Sequence, residues 1–203
     1  QFLTRRGIPK TFRDFPRQLL LVAHDLDGGE RVVFGMGGHM EHVPVAKAVA
    51  ASIATPMLFA PVRIDGRDFI AGAPGETAHV DLAVEKGCEL VVVINAMVPV
   101  RTDPTANVVP TGHGPKSRVR DKGLLWVYNQ SWRLMTEARL QKGLAAYEAA
   151  HPDVDIHLLE PARDDAVLLE RGDADLQLLL DRLEGGAAVE LLCGHVVLLL
   201  GCG

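Results

Sequence analysis

A chain of 203 residues that is 48% hydrophobic can bury a full core, which excludes a disordered chain and points to one globular domain. Its formal net charge of -5 argues against nucleic acid as a main partner, because neutralising phosphates needs a concentrated basic face. Cys88, Cys193 and Cys202 are too few and too unevenly spaced for a disulfide framework or a C-x-x-C metal site, and they are compatible with a reducing, cytoplasmic compartment.

The first residues are basic but no apolar segment follows them, so no signal peptide is expected. Residues 18–23 form an apolar run suited to a buried strand. Asp27-Gly28-Gly29-Glu30 and a second run at 31–34 complete a hairpin signal. A glycine-rich loop at 35–41 leads to an alanine-rich helix over 43–53, with Pro44 in its first turn and Thr55-Pro56 ending it. Residues 57–64 and 67–70 flank Asp65-Gly66, a pair that favours a tight hairpin turn because both positions tolerate positive φ. After a bend at 72–75, residues 77–86 have helical spacing, and Gly87 suits a C-terminal cap.

Residues 89–95 are a continuous β-branched run, which predicts a central strand covered on both faces. Residues 96–123 lack periodicity and predict a long surface excursion. A long helix follows over 124–150 with two stripes, Tyr128, Trp132 and Met135 on one and Leu140, Leu144 and Tyr147 on another, predicting burial against more than one layer. His151-Pro152 stops it before a buried strand at 154–159. The most apolar tract, 187–200, is short for a membrane span and carries Glu190 and His195, so no transmembrane segment is predicted. Alternating strand runs and helices predict an α/β layered domain with a mainly parallel central sheet flanked by helices.

Candidates for chemistry are few. The serines Ser52, Ser117 and Ser131 lack the flanking glycines of a G-x-S-x-G elbow and read as structural. His39 and His42, with Glu41, could meet on one turn, but a zinc site needs three or four ligands and no second cluster presents itself, so no metal is expected. "DLDGGE" resembles the start of a calcium loop without its later ligands and reads as a turn. "FGMGGH" lacks the G-x-G-x-x-G order of a dinucleotide loop, and no cofactor is expected. Two basic groups, Arg5, Arg6, Lys10, Arg13 and Arg17, then Lys116, Arg118, Arg120 and Lys122, read as solvated surface, with anionic lipid headgroups as the sharper alternative.

The segments "LLLVAHDLDGGERVVFG", "VPVAKAVAASIATPMLFAPVRIDGRDFIAGA", "ELVVVINAMVPV" and "HPDVDIHLLEPARDDA", in this order and spacing, resemble a bacterial patatin-like phospholipase from about Thr11 to Asp165. The middle segment is the most specific, with A-S-x-A-x-P at Ala51 to Pro56 followed by a hairpin. The resemblance implies a lipid acyl hydrolase with a Ser-Asp dyad, in which a serine attacks an ester carbonyl and an aspartate is its base. In the family that aspartate stands in an Asp-Gly-Gly or Asp-Gly-Ala motif at the bend after the hairpin, which in this chain reads Ala71-Gly72-Ala73. The family's oxyanion loop and G-x-S-x-G elbow lie upstream of the hairpin with which this chain begins, and neither occurs in its sequence.

The resemblance therefore implies a partial patatin-like domain over 1–169, incomplete at its N-terminal side, and leaves the Leu-rich segment 170–203 unplaced. Glu76 or Asp68 could stand in for the lost base, with no nucleophile to activate. The expected function is that of a lipid-hydrolase family member in lipid metabolism, inactive as this chain, or a non-catalytic module binding lipid or protein. Strands absent upstream would leave a sheet edge and apolar faces, so self-association, a covering partner, or packing of residues 189–200 is expected there, with peripheral membrane contact as a further expectation.

Overall fold

The computed structural model describes residues 8–35, 37–38, 40–72, 78–95, 97–100 and 118–160, and the backbone of 188–192 and 195–202. The Asp-Gly-Gly signal forms its hairpin: β1 (Leu20–Asp25) pairs antiparallel with β2 (Arg31–Gly35), from Leu20 opposite Gly35 to His24 opposite Arg31. Asp25 holds the turn. Its Oδ1 accepts from the amides of Asp27 (3.1 Å) and Gly28 (3.2 Å), and its Oδ2 accepts from Arg67 Nε at 2.7 Å. Arg67 first, then the Gly28 amide, hold the Asp25 carboxyl below the usual carboxylate range. The "DLDGGE" carboxylate is thus spent on its own turn, as an Asx-turn would have it.

The second hairpin joins β3 (Val62–Ile64) and β4 (Arg67–Ala71) through Asp65 and Gly66, both at positive φ (48° and 83°), as the Asp-Gly pair predicts. Residues 57–61, read as strand from sequence, form no strand. α1 (Val45–Ser52) starts after Pro44 and packs on this first sheet, whose order is β2-β1-β4-β3. α2 (Val80–Glu85) follows and ends before Gly87, at φ 71°.

β5 (Cys88–Asn95) is central in a second sheet of order β6-β5-β8-β7. β6 (Asp155–Leu159) pairs with it in parallel on one side, as an edge strand of alternately exposed and half-buried residues rather than the buried strand expected from sequence. On the other, the C-terminal hairpin β7 (Ala188–Leu192) and β8 (His195–Cys202) supplies an antiparallel neighbour, so part of the segment left unplaced by sequence lies along a strand edge. Cys88 is disulfide-bonded, which the cysteine count did not predict, and the residue opposite it in the β5–β8 register is Cys202.

The domain is α/β, but the predicted mainly parallel sheet is corrected. The first sheet is antiparallel throughout, and in the second only β5–β6 is parallel. Connection length accounts for the three pairs of sequence neighbours, β1–β2, β3–β4 and β7–β8. Tight turns can join only antiparallel strands, whereas a parallel pair needs a long crossover. Here α3 (Leu124–Ala150) is that crossover, between β5 and β6.

Two apolar layers cover the first sheet. Leu19, Leu21, Ala23, Phe34 and Phe69 face α1, with the Phe34 and Phe69 rings edge-to-face at 5.6 Å. Leu20, Val22 and Val33 face the other way, onto α2, β5 and the second half of α3. The odd and even residues of β1 thus divide as strand alternation requires.

The long helix has the predicted bounds but not the predicted burial. Its C-terminal stripe is inside, with Leu140 and Leu144 in the core and Tyr147 against it. Its N-terminal half turns a polar side inward. Gln130 exchanges hydrogen bonds with the Val100 backbone (2.8 and 3.0 Å), and Arg133 Nη1 donates to the Val98 carbonyl at 2.9 Å. Leu124, Leu125, Leu134 and Met135 are left exposed. Periodicity tells which residues share a helix face, not which face turns inward.

Within this one helix, Leu140→Ala is expected to lower unfolding free energy by about 2–5 kcal/mol, and Leu134→Ala by no more than about 0.5 kcal/mol. Urea unfolding of both variants measures the contrast, and equal losses would contradict the burial assigned to the two halves.

Candidate functional site

β4 ends at the bend singled out by the family resemblance. Ala71 is fully buried, and its amide donates to the Ala54 carbonyl at 3.0 Å, tying the strand end to the segment after α1. Ala71 lies opposite Ala23 on β1, and residues opposite one another share a face. That face is the α1 layer, in which Ala48 and Ala51 are also buried. The residue 71 side chain therefore points into an apolar layer. Gly72 follows where a Cβ would come within 2.9 Å of the Val22 carbonyl and 3.2 Å of His79 Nε2, so only glycine fits without a shift. Ala73 and Glu76 lie outside the described residues.

Behind the bend, on the opposite face of the sheet, four polar side chains gather. His24 and Arg31 face each other across the hairpin register. Arg31 Nη1 lies 3.3 Å from His79 Nδ1 and forms an ion pair with Asp81 in the first turn of α2. His79 is itself buried and stands at φ 41°, immediately after Ala78 at φ 76°. Two successive left-handed residues that are not glycine cost on the order of 1–3 kcal/mol each, and they turn the chain so that the imidazole enters behind Gly72. Sequence reasoning passed over all four residues. The signal lay in a histidine and an arginine at facing hairpin positions, and in the H-x-D at the start of the second helix.

Burial of His24, and then the charge of Arg31, lower its pKa below the ordinary histidine value, while a hydrogen bond with the Gly72 backbone works the other way. His24 Nδ1 and Asp81 Oδ1 are buried without a hydrogen-bond partner among the described residues. A neutral His24 accepts or donates but carries no charge. The cluster locks hairpin, bend and helix together, and it is separated from the Ala71 side chain by the sheet.

The other sequence candidates are dispersed. Ser52 is fully buried in the last turn of α1, and Ser131 Oγ donates to the Val127 carbonyl of its own helix at 2.8 Å. Asp68 pairs with Arg63 at 2.9 Å on the exposed second hairpin. His42 Nε2 lies 2.7 Å from Asp65 Oδ2, and Glu41 pairs with Arg13 at 2.8 Å, so these two neighbours hold different partners. No group of three metal-ligating side chains occurs among the described residues. His39 and Ser117 fall outside them. No protein-family model matches the sequence.

A folded-state pKa below that of the unfolded chain makes stability depend on pH in a fixed direction. The contribution of His24 is complete above about pH 6.5 and is lost as pH falls through its lower folded value. Unfolding in urea at pH 7 and pH 5 is expected to show that loss in the wild type and a smaller one in His24→Leu. An unchanged pH slope in the variant would remove His24 from the account.

Proposed function

We propose that this chain is a patatin-like lipid acyl hydrolase family member that binds lipid esters without cleaving them. What supports the family part is the order hairpin, alanine-rich helix, hairpin, bend, central strand, which the resembling segments occupy in sequence. The observation that carries the non-hydrolytic part is Ala71. At the place where the resemblance puts the dyad base there is a buried methyl group facing an apolar layer. The imidazoles of His24 and His79 belong to the other face of the sheet and cannot act as its replacement. The 203 residues contain no G-x-S-x-G, and each serine with a described side chain is buried in a helix or bonded to its own helix.

A general base must stand within hydrogen-bond reach of the proton that it removes, and dyad members act as one unit. A chain without either member has no group with which to open an ester. The related reading, a non-catalytic module that docks lipid or protein, is favoured by the exposed apolar side of α3.

Two measurements check the proposal. The purified chain is expected to hydrolyse p-nitrophenyl esters no faster than buffer, and Ala71→Asp alone to give no rate gain. The same substitution places a carboxyl in the α1 layer and is expected to cost about 1–3 kcal/mol of stability or more. Ester hydrolysis by the wild type that disappears in Ser52→Ala, Ser117→Ala or Ser131→Ala would overturn the proposal.

A further inference from the structure

We propose that the outward side of the first half of α3, with the basic turn before it, docks onto an anionic lipid surface. From Leu124 the three- and four-residue spacings of the helix run through Val127, Ser131, Leu134 and Met135, then Ala138 and Lys142, which therefore share one side. On that side Leu124 is 85% exposed, Leu134 54% and Met135 52%. Single exposed apolar residues are ordinary on a protein surface, but a stripe of them is not. Tyr128 Oη donates to the Pro56 carbonyl at 3.5 Å, which sets the loop carrying Met57 (76% exposed) and Phe59 (61%) against the same part of the helix. The inward side cannot exchange places with this one, because Gln130 and Arg133 already hold the backbone of Val100 and Val98.

The charge around the stripe selects the occupant. Arg118 and Arg120 are exposed in the turn that leads into the helix, and the Lys122 ammonium lies 4.4 Å from the centre of the Trp126 ring. Lys142 is exposed at the other end of the same side. The acid in that turn is Asp121, which pairs with Arg120. A basic and apolar face on a chain of net charge -5 fits a partner that accepts apolar side chains and presents negative charge. A second copy of the same face fails that requirement. In either orientation it would set the Arg118 to Lys122 turn against itself or against Lys142, cation against cation.

The surface deepens the lipid reading given above and takes from it the class of occupant. Vesicles of ether-linked lipid contain no acyl ester, so they report docking independently of acyl-ester binding or cleavage. The full chain is expected to sediment with ether-linked phosphatidylcholine–phosphatidylglycerol vesicles, less as salt rises, and far less with phosphatidylcholine alone. Arg118→Gln/Arg120→Gln is expected to weaken binding to the anionic vesicles roughly tenfold. Leu124→Asp/Leu134→Asp is expected to weaken it at least as much, with an unchanged circular dichroism spectrum and urea midpoint. Wild type that stays in the supernatant, or variants that bind as it does, would overturn the proposal. So would a dimer in sedimentation velocity that Leu124→Asp/Leu134→Asp dissolves, since the face would then belong to a second copy. Failure on ether-linked vesicles with no ester hydrolysis removes this surface alone, whereas docking by a chain that hydrolyses esters through one of its serines removes the non-hydrolytic reading alone.

Discussion

A strand segment buried on both faces must be apolar at each position and must pair its backbone on both sides, and residues 20–23 of β1 are where this chain meets both demands. Leu21, Val22 and Ala23 have no exposed surface, and the strand lies between β2 and β4. Its odd residues close the layer under α1 and its even residues close the layer shared with α2, β5 and α3. The two apolar clusters are therefore two sides of one strand. His24 interrupts the pattern at the point where the even side passes from core to polar cluster, and there the hairpin partner Arg31 supplies the next link, to Asp81.

The bend after β4 inherits its character from this arrangement. Because sheet residues alternate, Ala71 and Gly72 present different things to different layers: a methyl group to the α1 side, and a missing Cβ to the His79 imidazole on the other. Polar chemistry collects on the second side and apolar packing on the first. A polar cluster near a bend is thus not the same as a polar cluster in reach of the residue at the bend. In this chain the cluster serves cohesion, joining three elements that are distant in sequence.

Much of the fold was legible because the turn residues speak directly. Asp-Gly-Gly and Asp65-Gly66 specify hairpins through backbone conformations that few residues adopt, and residues 124–150 carry helical periodicity over their whole length. Strand direction was misread because alternation of strand and helix was weighed above connection length. Residues 188–192 and 195–202 gave no direction, since a short, mainly apolar run suits a strand of either sense. At the site, Ala71 was identified from motif order, whereas His24, Arg31, His79 and Asp81 were missed: each is an ordinary polar residue until register and a left-handed turn bring them together.

α3 is held by two kinds of force along its length. Its second half is fixed by Leu140 and Leu144 in an apolar core, a non-directional attachment that many neighbouring atoms share. Its first half is fixed by a few directional bonds from Gln130 and Arg133 to an irregular segment. Local opening is governed by how much buried apolar surface must be uncovered. Amide protons near Asn129, past the unbonded first turn, are therefore expected to trade with deuterated solvent sooner than those near Leu144, so that one continuous helix would hold a fast-exchanging and a slow-exchanging half.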